Sequence, residues 1–275
     1  MLQTIQTRTI CVVFILILFC TAGCDRVRYT RVEGHISQNT RWVNDQSPYL
    51  LENGDVTVDP GITLTIEPGV TVYFMGNNWL LVQGRLLAQG ESGRPIQFLP
   101  FNRSIALYKG LKLGGGTQPD MAHQINYLVV QDADFGMYLD GSLADINFSV
   151  FSSNKEGIHL WNSNASIKNS LIESNQTVGI SVSGGTPTLM NNQINKNGQA
   201  LSFDYSTRPV FKQNQIGAEQ SLFATIARCS YPLDLTGNNW GPGDSRSVYS
   251  KIQVLDGIPV DKMVYLEPMS GPVGQ

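Results

Sequence analysis

Charge is scarce in this chain. Asp, Glu, Lys and Arg make up 15% of its 275 residues, against roughly 25% in an ordinary soluble domain. The basic residues are scattered and the pI is near 5.6. A nucleic-acid partner is therefore excluded, because phosphate binding needs a concentrated basic face. Histidine is scarcer still: the 3 present stand too far apart in sequence to form a metal pair. Cysteine is limited to Cys11, Cys20, Cys24 and Cys229, too few for a disulfide framework. Nucleotide loops and CxxC motifs are missing, so no cofactor is expected. The chain also lacks a long hydrophobic run. Its most apolar stretch, residues 10–20, is short of the ~20 residues a membrane-spanning helix needs.

What is plentiful is glycine, asparagine and β-branched residues, a balance that disfavours helix and favours short strands with turns. Hydrophobic residues are 41% of the chain, enough for a sizeable core. The repeat settles how that core is built. Ile125, Ile146, Ile167, Leu189 and Val210 recur in steps of 21 or 22. So do Val130, Phe151, Ile172, Ile194 and Ile216, and then Met137, Ile158, Ile180, Leu201 and Phe223. Two residues further on comes a fourth column, Leu139, Leu160, Val182, Phe203 and Thr225. Gly136, Gly157, Gly179 and Ala200 precede the third column.

Inside each period apolar and polar residues alternate, as in Met137-Tyr138-Leu139, which is strand spacing. A period of this length holding three short strands predicts a coil that closes on itself and stacks on the next, with parallel ladders along the stack. Asn154, Asn175 and Asn197 keep the same period and are placed to bond one another's amides along the axis. Upstream, Val56-Thr57-Val58, residues 62–66 and residues 70–74 alternate strictly between the turns Asp59-Pro60-Gly61 and Glu67-Pro68-Gly69. The expected fold is all-β: a single-stranded right-handed parallel β-helix of about eight coils over residues 49–235, with irregular caps at 24–48 and 236–275. Trp42 and Trp240 are expected to pack inside those caps, and Trp79 at an interior or corner position.

The stretch from Ser47 through Val56-Thr57-Val58-Asp59-Pro60-Gly61 to Glu67-Pro68-Gly69-Val70 resembles the opening coils of bacterial right-handed β-helix proteins. Gly237-Asn238-Asn239-Trp240-Gly241, then Ile252, Asp256, Val264-Tyr265 and Pro268, is similar to their closing segment. The resemblance implies the pectate-lyase-like fold. It does not imply one activity, because this architecture hosts lyases, hydrolases, adhesins and non-catalytic proteins.

The N-terminal residues read as a targeting segment over 1–23, with Arg8 before the apolar run and small residues, Thr21-Ala22-Gly23, before Cys24. This resembles a bacterial lipobox, with Thr21 where leucine is usual. The resemblance implies lipidation at Cys24, export, and a membrane partner through the lipid. Asp25 after the cysteine implies retention at the inner membrane. The other reading is a cleavable signal peptide in which Cys24 has no role. Cys229 then lacks a disulfide partner and is expected to be a buried small hydrophobe.

Two site hypotheses follow. A lyase would need Ca²⁺ held by clustered carboxylates beside a basic residue, and a hydrolase two carboxylates flanking the scissile bond. The densest acidic group holds Asp132, Asp134, Asp140 and Asp145. Asp132 and Asp134 are weak calcium candidates, because the positions beneath them hold Ser153, Ser174 and Lys196. They read better as solvated turn residues. The second hypothesis is an outward strand face, with Tyr138, His159, Ser181 and Ser202 in one column and Asp140, Trp161, Ser183 and Asp204 in the next. Lys112 precedes Tyr138 if 110–114 is the coil before. Tyr138, Asp140, His159 and Trp161 then cluster, with Asp204 and Lys112 at the margins. Aromatic rings flanked by polar groups suit a sugar; the bland reading is an aromatic ladder that only stabilises the sheet. The expected function is a non-enzymatic envelope module binding a polysaccharide or an envelope protein; the alternative is a lyase or hydrolase of acidic glycans.

Overall fold

The computed structural model describes residues 28–102 and 107–266. The expected lipidation site Cys24 and Pro268 lie outside the described residues. The chain winds through three parallel sheets of nine, ten and eight strands, making about nine coils. The first sheet runs from Thr30–Val32 to Gln215–Ile216, the second from His35–Ile36 to Ile252–Val254, and the third from Thr40–Trp42 to Val210–Lys212. At the ~4.8 Å spacing of neighbouring strands the stack is about 40 Å long.

The sheets form because each strand alternates and each coil repeats the alternation in register. Ile125 pairs with Ile146, Ile146 with Ile167 and Ile167 with Leu189. Met137, Ile158, Ile180 and Leu201 pair in turn. All of these side chains point inward and have no exposed surface. At ~25 cal/mol per Å² of apolar surface, these rows supply most of the driving force for closing each coil.

Three columns end one residue away from where the period places them. Leu189 pairs with Phe211, not Val210, and Val210 is 46% exposed. Leu201 pairs with Ala224 and Phe203 with Ile226, displacing Phe223 and Thr225 from the interior rows. The turn at residues 205–209 and the loop at 217–223 lengthen these coils, and strand alternation carries the shift onward. Phe223 stays buried because its ring packs 5.5 Å from that of Trp240.

The stack also begins earlier than expected. Residues 24–48, read as an irregular cap, contain a complete first coil in Thr30–Val32, His35–Ile36 and Thr40–Trp42. Its strands are two or three residues long, too short to display alternation, so one coil went uncounted. Trp42 fills that coil and stacks on Tyr49 at 4.9 Å. At the other end, the C-terminal segment adds Ile252–Val254 to the second sheet and a short helix, Ser245–Tyr249, capped by the Asp244 carboxylate. Trp240 packs there against Phe211 and Phe223.

The corners use one local rule twice. Between third and first sheets, Tyr127, Phe148, Asn169, Asn191 and Gln213 all have φ between 49° and 58°. Between first and second sheets, Asp132, Ser153, Ser174 and Lys196 have φ between 53° and 59°. Left-handed backbone costs a non-glycine residue about 1–2 kcal/mol, and the residue that follows offsets it. After the second corner comes the Asn154, Asn175, Asn197 column. Asn175 Oδ1 accepts from the Asn154 backbone N–H at 3.0 Å and its amide at 3.1 Å, and Asn175 Nδ2 donates to Asn197 Oδ1 at 2.8 Å and to the Phe151 carbonyl at 3.1 Å. After the first corner a second ladder runs through Ser149, Ser170, Asn192, Asn214 and Asn238. The glycine column belongs to the same device. A Cβ on Gly136, Gly157 or Gly179 would lie 2.8–2.9 Å from the amide nitrogen of Asn154, Asn175 or Asn197.

Candidate functional site

The outward face of the second sheet carries the predicted residues. Met137 and Leu139 point in, so Tyr138 between them points out; the same alternation turns out His159, between Ile158 and Leu160. Register places Lys112, Tyr138, His159, Ser181 and Ser202 in one column, and Asp140, Trp161, Ser183 and Asp204 in the next. All six expected face residues thus share one surface. Tyr138, Asp140, His159 and Trp161 occupy two adjacent coils.

The rings are closely arranged. Tyr138 and His159 stack with centroids 4.6 Å apart and planes 6° from parallel. Phe135 meets both edge-on, at 5.6 and 6.1 Å. Trp79 stacks on Phe135 at 5.8 Å and meets Tyr138 edge-on at 6.4 Å. On the strand that carries His159, the Trp161 ring reaches Tyr205, two coils further along, at 5.3 Å. The face therefore presents two groups of rings, all half-buried except the exposed Tyr205. Geometries of this kind contribute about 0.5–1.5 kcal/mol per pair beyond area burial and fix how the rings are oriented.

Charged groups border the rings in pairs. Lys112 Nζ lies 3.1 Å from Asp140 Oδ2 and 4.9 Å from the Tyr138 ring centre. His159 Nδ1 lies 2.8 Å from Glu156 Oε1. Arg228 lies over the Tyr205 ring at 4.0 Å. Its Nε donates to Asp204 Oδ1 at 2.8 Å, and its terminal nitrogen donates to the other carboxylate oxygen. Burial pushes the Asp204 carboxyl up, but the hydrogen bonds from Arg228 and the Tyr205 N–H prevail and hold it below the usual carboxylate range. The Tyr138 hydroxyl is raised, by burial first and then by Asp140 and Glu156.

Trp79, Phe135, Glu156, Tyr205 and Arg228 belong to this surface and were missed in the sequence. Trp79 is neither interior nor at a corner: Leu80 and Val82 point inward, which turns Trp79 out. Phe135 and Glu156 stand three residues before Tyr138 and His159, each separated from them by the small-residue step that the glycine column marks. Arg228 gives no periodic signal because it follows the lengthened loop.

Asp132 occupies the second corner in left-handed backbone, above Ser153, Ser174 and Lys196 in the same conformation. Asp134 is half-buried at the start of the strand Ala133–Asp140. Among the described residues no three His, Cys, Asp or Glu side chains converge as a metal set. A separate cleft between the first sheet and the C-terminal segment is lined by Glu173, Lys196, Gln215, Glu219 and Asn239 and holds no aromatic ring. Cys229 is a buried free thiol, raised chiefly by burial, as expected of a small hydrophobe.

Comparison with known proteins supports the architecture. A family model described as right handed beta helix region matches residues 118–239. "Protein bark beetle" of Drosophila melanogaster is 38% identical over 71 residues, which is 26% of this chain and 2% of that protein. The chain thus matches a very small part of that relative's length. No solved structure matches. The family-model match spans the most regular coils, and the same three sheets continue on both sides of it. The structure is a parallel β-helix of stacked repeats, and its residues 118–239 are similar to the right handed beta helix region.

Proposed function

We propose that the protein is a non-catalytic binding module whose ligand is a carbohydrate held on the outer face of the second sheet. The observation that carries this reading is the cluster of half-buried Trp79, Phe135, Tyr138 and His159 rings, held by mutual packing, with Trp161 on the same face and bordered by hydrogen-bonding charged groups. A sugar ring has apolar C–H faces and polar edges, and such a surface serves both. Binding needs no enclosed pocket. In this reading the envelope lipoprotein expected from Cys24 would display that face from a membrane surface.

The alternative, a lyase or hydrolase of acidic glycans, is less well supported by this surface. A general acid needs a carboxyl raised toward neutrality, and Asp204 is shifted the other way. Asp140 and Glu156 are each engaged with a basic side chain.

A glycan array probed with the wild type and with Tyr138→Ala and Trp161→Ala tests the proposal. A base stacked on an aromatic ring is worth about 1–3 kcal/mol, and taking a stacked sugar as comparable, either substitution should weaken binding about tenfold. Binding that survives both substitutions unchanged would place the ligand elsewhere, and release of shorter glycans by the wild type would restore the enzyme reading.

A further inference from the structure

We infer that this face selects neutral over acidic glycans; the inference rests on the carbohydrate reading above and specifies its ligand. Recognition of a uronate or sulfated sugar requires a cation able to turn to the ligand's anionic group. The cationic groups beside the rings, Lys112, Arg228, Arg208 and His159, each have a partner. Lys112 lies 3.1 Å from Asp140. Arg228 grips Asp204 with two hydrogen bonds, and that carboxylate is only 18% exposed. Arg208, beyond Tyr205, lies over the Tyr231 ring at 3.9 Å. The imidazole of His159 is engaged by Glu156.

An incoming carboxylate would therefore have to displace Asp140 or Asp204 and then sit beside the displaced charge. Opposed like charges disfavour that arrangement. Exposed ion pairs are individually weak, but the Asp204 pair is bidentate and partly buried, and its loss leaves a carboxylate with only the Tyr205 N–H. A neutral sugar meets no such obstacle. Its hydroxyls can accept from Lys112 and donate to Asp140 or to Asp204 Oδ2 without breaking the pairs, since each carboxylate retains a free lone pair there.

The test is isothermal titration of the purified full-length chain, in a detergent without a sugar headgroup. The probes are cellohexaose, xylohexaose, mannohexaose and hexagalacturonate. At least one neutral hexamer should bind, and hexagalacturonate should bind at least about tenfold more weakly. Asp204→Asn releases Arg228 while leaving an acceptor for the Tyr205 N–H, and Asp140→Asn independently releases Lys112. A freed cation gains a charge-assisted bond to the uronate, so each variant should raise the ratio of hexagalacturonate to neutral-hexamer affinity about tenfold. Wild-type binding of hexagalacturonate as tight as that of every neutral hexamer overturns the inference and leaves the carbohydrate reading standing. Unmoved ratios in both variants overturn the ion-pair argument. A chain that binds none of the four probes removes both readings together.

Discussion

Replacing Asn175 with alanine should unpin the centre of the stack. The side chain is 1% exposed and makes four hydrogen bonds, two to Asn154, one to Asn197 and one to the Phe151 carbonyl. Alanine removes all four and strands the Asn154 backbone N–H. At about 1 kcal/mol net per bond, with some relief from water entering the vacated space, the loss is about 2–4 kcal/mol. For a domain of this size each kcal/mol lowers the Tm by about 2–4 °C, so the shift is on the order of 10 °C. Asn175→Asp refines the test because its carboxyl is nearly the same shape. Ionised, it would point an anion at the Asn197 Oδ1 and the Phe151 carbonyl, so its folded-state pKa lies above the unfolded value. Its extra destabilisation is therefore absent at acid pH, where both states are protonated, and grows as pH rises above the unfolded carboxyl pKa. Urea unfolding followed by circular dichroism at pH 3.5 and pH 7 measures both effects. An alanine variant within about 0.5 kcal/mol of the wild type, or an aspartate variant indifferent to pH, would refute the ladder's role.

Two further outcomes follow from other parts of the molecule. His123 is fully buried, with Nδ1 accepting from the Leu86 N–H at 3.0 Å and Nε2 bonded to the Gly114 carbonyl at 3.1 Å, an arrangement that needs the neutral ring. Burial chiefly, opposed by the Gly114 bond and aided by Arg85, lowers its pKa from 6.5 to about 4. The unfolded chain then binds the proton first, so stability falls between about pH 6.5 and 4, by about 3 kcal/mol. His123→Asn should flatten that slope by one proton in denaturant titrations, and equal slopes would show that another group titrates. Finally, if Cys24 is the lipid acceptor, metabolic labelling with palmitate should mark the wild type and be lost in Cys24→Ser. Labelling that persists in the variant would dispose of the anchor.

Much of this fold could be read without coordinates, because a stack of near-identical coils writes its packing into the sequence at a fixed period. The inward rows through Ile125, Val130, Met137 and Leu139, the Asn154 ladder and the shared surface of Tyr138, Asp140, His159 and Trp161 all depend only on alternation plus that period. Both are local properties, and stacking copies them from coil to coil. Where the copying is interrupted, the sequence loses its hold. The first coil at Thr30–Trp42 has strands too short to alternate, and the longer turns after Asp204 and Ile216 move the register by one, from Val210 to Phe211 and from Phe223 to Ala224. The second ladder escaped notice because serine and asparagine share its positions.

The tertiary structure alone decided which groups on the face meet. Trp79 reaches Phe135, and Arg228 closes on Asp204 and Tyr205, across separations in sequence that no single period encodes. It also revealed why glycine stands early in these second-sheet strands: Gly136, Gly157 and Gly179 vacate the space that the ladder amides fill. The sequence by itself determined a rod with a patterned interior and an outward aromatic column. The closing of each coil through left-handed corners decided the rest, because only that geometry sets which outward side chains stand within reach of one another.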